Sequence, residues 1–240
     1  MSTTDTTERQ VVLITGASGN LGRAVARAFA QSGATLALTD RDSERLGSLR
    51  AELGLGPERC AVHAADITDL GATVDLCQAV AAHLWRIDVV VHTAGGFTMG
   101  AVHDTPTETW NLMMDLNAKS AFNLAHGVVP LMRRQQSGRI IFIGSRASLA
   151  GGAGIGVYAA AKGALVRLTE SMAAELREHR INVNAVLPSI IDTPQNRQSM
   201  PASDPSTWVS TDSLAEVILF LASPAARDIS GAALPVFGRA

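Results

Sequence analysis

Short apolar runs alternate with helix-forming stretches along almost the whole of this 240-residue chain, and few folds accommodate that order. Residues 10–15 read as a buried strand, Asn20–Gln31 as a helix, and 34–39, Cys60–Ala64 and 87–92 as three further strands. The fourth run is apolar at successive positions, as a parallel sheet covered on both faces requires. Asp42 and Asp69 stand where they can cap the helices after strands two and three. Thr105-Pro106-Thr107-Glu108 reads as a capping box with proline at the first helical position, opening a helical region to about residue 134 with one break. A fifth strand (139–144), a long helix (157–179) with the stripe Leu165, Leu168, Met172 and Leu176, and a sixth strand (181–187) follow. A helix (211–221) and a short strand (Ala233–Val236) close the chain. The pattern predicts an α/β fold, one doubly wound parallel sheet of about seven strands with helices on both faces. It places one domain over 10–240 behind a polar tail, 1–9. Residues 188–210, with four prolines and many polar side chains, form a lid or substrate loop.

Composition narrows the partners. Apolar residues make up 47% and charged residues 18%, which is globular rather than disordered. A net charge of −2 without a basic block argues against nucleic acid. The apolar runs are too short to span a bilayer, so no membrane partner is expected. The polar, Thr-rich start lacks the core of a signal peptide, and a cytoplasmic location is expected. Cys60 and Cys77 lack metal-type spacing and read as reduced thiols. His92 has no second ligand at a convincing distance in sequence, so no metal is expected.

The first strand ends in Thr15-Gly16-Ala17-Ser18-Gly19-Asn20-Leu21-Gly22 and runs straight into a helix. Such a turn brings backbone N–H groups to a pyrophosphate at a helix N-terminus, which makes Gly16, Ser18, Asn20, Leu21 and Gly22 candidate cofactor residues. No Gly-Lys-Ser/Thr follows, which disfavours a nucleoside-triphosphate loop. Asp40 ends strand two, where a carboxylate accepts the adenosine ribose hydroxyls and repels a 2′-phosphate; this favours NAD. The adjacent Arg41 could meet that phosphate, so NADP is less favoured rather than excluded. Asp66 and Ile67 follow strand three, within reach of an adenine. The plainer readings of both aspartates are helix capping and turn formation.

Tyr158 is the only tyrosine in the chain, and Lys162 lies one helical turn beyond it. A nearby ammonium stabilises a phenolate, which would let Tyr158 exchange a proton near neutral pH. Ser145 lies thirteen residues earlier, at the end of strand five, where its hydroxyl could meet a reacting oxygen. A tyrosine and lysine at this spacing more often mark a solvated face. Here the segment Val157-Tyr158-Ala159-Ala160-Ala161-Lys162-Gly163 is otherwise small, which lets a cofactor approach.

With these motifs the chain resembles the short-chain dehydrogenase/reductase family over nearly its whole length. The resemblance implies a Rossmann fold, NAD(P) as cofactor and a carbonyl or secondary alcohol as small-molecule substrate. It implies a tetrad of Asn117, Ser145, Tyr158 and Lys162. In it Tyr158 is the acid/base and Lys162 lowers its pKa and binds the nicotinamide ribose. Ser145 polarises the carbonyl, and Asn117 holds a water linking Lys162 to solvent. The usual Asn-Asn-Ala-Gly is His92-Thr93-Ala94-Gly95, with cofactor contacts carried over at Ala94 and Gly95. Pro188, Ile191 and Thr193 are implied neighbours of the nicotinamide. Asn20 stands where the family has glycine; Gly19 falls one residue early, a spacing also found in the family's extended branch of epimerases and dehydratases. Residues 187–208 are similar to the lid of dihydropteridine reductases, which favour NADH but typically lack the serine. Pterin reduction is therefore the alternative activity, and a non-catalytic NAD-binding regulatory protein the alternative of another kind. Gly96, Phe97, Met99, Arg146, Ser189, Arg197 and Trp208 are expected to approach the substrate. Arg146 or Arg197 would receive a carboxylate, if neither is simply a solvated arginine. The resemblance also implies a homo-oligomer, a tetramer or dimer, formed through the helices carrying Asn117 and Tyr158.

Overall fold

The computed structural model describes residues 9–239, so all but the last residue of the expected tail, 1–9, lies outside the described residues. The strands are β1 (Val11–Thr15), β2 (Thr35–Asp40), β3 (Cys60–Ala64), β4 (Val89–His92), β5 (Gly138–Ile143), β6 (Ile181–Pro188), β7 (Ile191–Asp192), β8 (Val209–Ser210) and β9 (Ala233–Val236). The helices are α1 (Asn20–Gln31), α2 (Ser43–Glu52), α3 (Leu70–Leu84), α4 (Thr107–Met114), α5 (Ser120–Gln135), α6 (Gly156–Glu175), α7 (Pro194–Ser199) and α8 (Thr211–Ala222). Seven strands form one parallel sheet in the order β3-β2-β1-β4-β5-β6-β9.

Alternation along each strand builds two cores. Val12 and Ile14 of β1 face α1 and α8 with Leu36, Leu38, Val89 and Val91. Leu13, between them, faces the opposite layer of α3, α5 and α6 with Val90, Ile140 and Phe142. Each such side chain, when fully buried, contributes about 1.5–3 kcal/mol. The chain reverses direction across the sheet between β1 and β4, which opens a crevice at their carboxyl ends.

Asp42 and Asp69 cap α2 and α3 as expected, accepting from Glu44 and Arg45 and from Ala72. The expected capping box does not form. The Thr105 hydroxyl closes the preceding turn by donating to Ala101 O at 2.8 Å, and α4 begins behind Pro106 without a side-chain cap. The helical break is a π-helical turn at Asp115–Lys119. Two side chains bond back to helix carbonyls around it: Asn117 Nδ2 donates to Met113 O at 3.0 Å, and Ser120 Oγ to Leu116 O at 2.8 Å. The long helix predicted to residue 179 ends at Glu175, and a 3-10 turn continues it. The lid is more ordered than a loop. It holds α7 and is closed by parallel pairing of β7 with β8. Among the described residues no helix is long and apolar enough to cross a membrane.

Candidate active site

The turn after β1 works by the absence of side chains. Gly16 has φ +66°, and a Cβ there would lie 2.6 Å from Ala94 N. A Cβ on Gly22, in the first turn of α1, would lie 2.8 Å from the Ala17 Cα. These contacts leave a groove of about 200 Å³ between glycine backbone and the ends of β2, β3 and β4. Gly16, Asp40, Arg41, Asp66, Ile67, Ala94 and Gly95, all anticipated from sequence, line it. Gly19, Thr39, Ala65, Thr68, Thr93 and Leu116 line it too. Most of these are neighbours of anticipated residues, and strand-end position was the only signal for them. Leu21 is buried in the core instead.

Asp40 is pinned at one end of the groove. Its Oδ2 accepts from Ser18 N at 3.2 Å and Ser18 Oγ at 2.5 Å, and its Oδ1 from Arg41 N at 2.7 Å. Arg45 Nη2 reaches Ser18 O at 3.2 Å. Asp66 accepts from both the hydroxyl and the N–H of Thr68, which hold its carboxyl below the usual range. Asn20 crosses from the turn to the lid, donating from Nδ2 to Gln195 Oε1 at 2.7 Å.

Two of the four tetrad positions, Asn117 and Lys162, meet beside Gly95, and the other two, Ser145 and Tyr158, are hydrogen-bonded to each other. Asn117 is buried, its Oδ1 accepting from Gly96 N at 3.2 Å and its Nδ2 donating to Gly96 O at 3.0 Å. A Cβ on Gly95 would lie 2.8 Å from that Oδ1 and 3.3 Å from Lys162 Nζ, so the amide and the ammonium share the space beside one glycine. Lys162 is buried, donates to Ile143 O at 2.7 Å, and has its pKa lowered to about 8 by burial. Tyr158 packs against Met113, Val157 and Ala161. Burial raises its pKa, and a hydrogen bond with the Ser145 side chain opposes that rise. Burial is the largest influence on the phenol, and the Lys162 ammonium one turn away donates to the Ile143 carbonyl.

His92 has a role that sequence reading missed. Ser120 Oγ–H is committed to Leu116 O, so Ser120 Oγ must accept from His92 Nε2–H, 3.0 Å away. Nδ1 is then the acceptor for Thr15 Oγ1–H at 2.7 Å. This neutral tautomer stitches β1 and β4 to the π-helical turn carrying Asn117. Burial, assisted by the Lys162 charge, lowers the His92 pKa to about 3. Among the described residues no group of His, Cys, Asp and Glu could hold a metal ion.

The lid residues divide. Pro188 ends β6, and Thr193 caps α7 by accepting from Asn196 N at 3.2 Å. Ser189 Oγ donates to Phe237 O at 2.6 Å. Arg197 binds both oxygens of Asp192 at 2.6 and 2.7 Å, which removes it as a ready partner for a substrate carboxylate. Arg146 lies over the Phe237 ring, 5.9 Å from its centroid. Trp208 is buried rather than open to the crevice.

A groove floored by glycine, a fixed carboxylate at one end, and a phenol, hydroxyl, amide and ammonium at the other define a dinucleotide-binding oxidoreductase of the α/β class. The family profile described as short chain dehydrogenase matches residues 10–204. The chain is 32% identical over 240 residues to the 3-oxoacyl-[acyl-carrier-protein] reductase FabG of Thermotoga maritima, covering 96% of this chain and 97% of that one. The structure of NAD+-bound xylitol dehydrogenase superposes with a TM-score of 0.88 at 26% identity, over 95% of this chain and 98% of that one. ElxO with NADP bound gives 0.90 at 25% identity, over 96% and 98%. The chain belongs to the short-chain dehydrogenase/reductase family, whose members are NAD(P)-dependent oxidoreductases.

Proposed function

We propose that this protein catalyses reversible hydride transfer between a nicotinamide and a carbonyl or secondary-alcohol carbon, with Tyr158 as acid/base. The observation that carries this reading is the half-buried Tyr158 phenol bonded to Ser145, with Lys162 and Asn117 beside Gly95 at the same sheet edge. The groove fits a dinucleotide because a Cβ at Gly16 would collide with its floor. Gly16, Asn20 and Gly22 would border the pyrophosphate, Asp40, Asp66 and Ile67 the adenosine, and Ala94, Gly95, Pro188, Ile191 and Thr193 the nicotinamide side. When bound, the nicotinamide supplies or takes the hydride. In reduction the carbonyl carbon gains that hydride, its C–O π bond breaks, and Tyr158 gives its proton to the oxygen. Ser145 orients that oxygen, and Lys162 holds positive charge near the phenolate left behind. A carbonyl panel, with NADH oxidation followed optically, tests this; binding without turnover of any compound would leave a regulatory protein. Ser145 against the phenol favours carbonyl chemistry over pterin reduction.

NAD is the preferred cofactor in this reading, because Asp40 is fixed by three hydrogen bonds where a 2′-phosphate would sit. Asp40→Ser removes the repulsion while Arg41 and Arg45 remain. The ratio of kcat/KM for NAD over NADP should fall by on the order of tenfold, about 1.4 kcal/mol. An unchanged ratio would remove Asp40 from cofactor choice.

The family's oligomer would form through the helical region of α4 and α5, which carries Asn117, and through α6, which carries Tyr158; Trp110, Leu112 and Phe122 are exposed on the first of these. Phe122→Glu should shift sedimentation velocity toward a smaller species. The same coefficient for both proteins would exclude that face.

A further inference from the structure

Beyond the phenol, the first groups at the mouth of the site are carbon. Phe97 stands against Tyr158 with ring centroids 4.9 Å apart and planes at 82°, so the two rings form a corner. Phe97 is nonetheless 61% exposed, so much of its surface lies open beside the phenol. Met99, 68% exposed, and Val102, 69% exposed, follow on the same segment. These are not stray surface side chains. Gly100 N donates to Gly154 O at 2.8 Å, which ties this segment to the residues leading into α6 and Tyr158. Met99 Cε lies 3.8 Å from where a Gly154 Cβ would sit. Beneath them, a Cβ on Gly96 would lie 2.9 Å from Leu116 Cδ1 and 3.1 Å from Met113 Cε, so the floor is apolar too. On the lid, Arg197 is committed to Asp192.

From this corner we infer the substrate class: a ketone, or its secondary alcohol, whose reacting carbon carries or belongs to an apolar ring, aryl or alicyclic. Phe97 is then the residue that determines specificity. This rests on the hydride-transfer reading above and narrows it. An apolar ring attached to or containing a carbonyl at Tyr158 lies on the Phe97 face and buries it, which is favourable for both. A polyol in the same place presents hydroxyls to carbon, and each hydroxyl loses its water without gaining a partner. A linear chain covers less of the corner and loses more rotational freedom on binding.

The test is a steady-state panel with NADH or NAD on the whole protein. It comprises acetophenone and cyclohexanone, butanone, acetoacetate, and sorbitol in the oxidative direction, each with wild type, Phe97→Ala and Phe97→Leu. The expected result is kcat/KM at least about tenfold higher for the ring ketones than for butanone, acetoacetate or sorbitol. Phe97→Ala should raise KM for acetophenone by about tenfold, with kcat within about threefold and KM for butanone unmoved. Phe97→Leu should restore part of the loss. Preference for sorbitol, acetoacetate or butanone, or a Phe97→Ala variant with unaltered KM for acetophenone, overturns the inference and leaves hydride transfer standing. Binding of NADH with turnover of no compound overturns both.

Discussion

Tyr158→Phe is expected to lower kcat by about 10²–10⁴-fold, the range general acid–base catalysis supplies, while Kd for NADH stays within about twofold. The ring keeps its packing against Met113, Val157 and Ala161, so the fold has no reason to respond. Only the hydroxyl is lost, and with it the bond to Ser145. The measurement is kcat by nicotinamide absorbance alongside a fluorescence titration with NADH. A variant retaining full kcat on a substrate that the wild type turns over would remove Tyr158 from the reaction. Because burial raises the phenol pKa, the group is a proton donor through neutral pH in the protein alone. The proton-accepting direction therefore has to draw on positive charge beside the phenolate, and Lys162 is the charge this chain provides.

Acid should weaken the fold through His92. Its pKa falls from 6.5 in the unfolded chain to about 3 in the folded one, by burial first and the Lys162 charge second. Between those values the unfolded state binds a proton that the folded state does not, so stability is complete above pH 6.5 and declines as pH drops. The decline is about 1.4 kcal/mol for each pH unit, or roughly 2 kcal/mol between pH 6.5 and 5. That is a large part of the stability typical of a domain. His63 adds a smaller slope of the same sign, since burial also lowers its pKa. Urea unfolding at several pH values, for wild type and His92→Asn, separates the two. The variant should begin less stable, having lost one or both bonds to Thr15 and Ser120, and should show a shallower pH slope. Equal slopes would mean that His92 is not the titrating group.

The candidate tetrad and Asp40 stand out in the sequence because residue type and chain order carry the chemistry proposed for them. A sole tyrosine with a lysine one turn on, and an aspartate closing the second apolar run, are visible without coordinates. His92 was not, since its partners are 77 and 28 positions away and only the sheet brings them to it. The π-helical turn was foreseen merely as a break, because local pattern does not distinguish its kind; in the structure Asn117 and Ser120 bond back to helix carbonyls there. Arg197 suggested an open cation until the lid folded Asp192 against it. Thr105 had the capping sequence, yet α4 starts behind Pro106, one residue past it, and its hydroxyl bonds back to Ala101 O. Local pattern loses in each case to a contact set by tertiary placement.

Asn20 and Gln195 are 175 positions apart in the chain, and their side chains are joined. With Asn20 bordering the pyrophosphate as proposed, arrival of the nucleotide is expected to bear on the lid through this bond. Asn20→Ala would then uncouple the two, and the lid's protection from proteolysis should no longer respond to NADH.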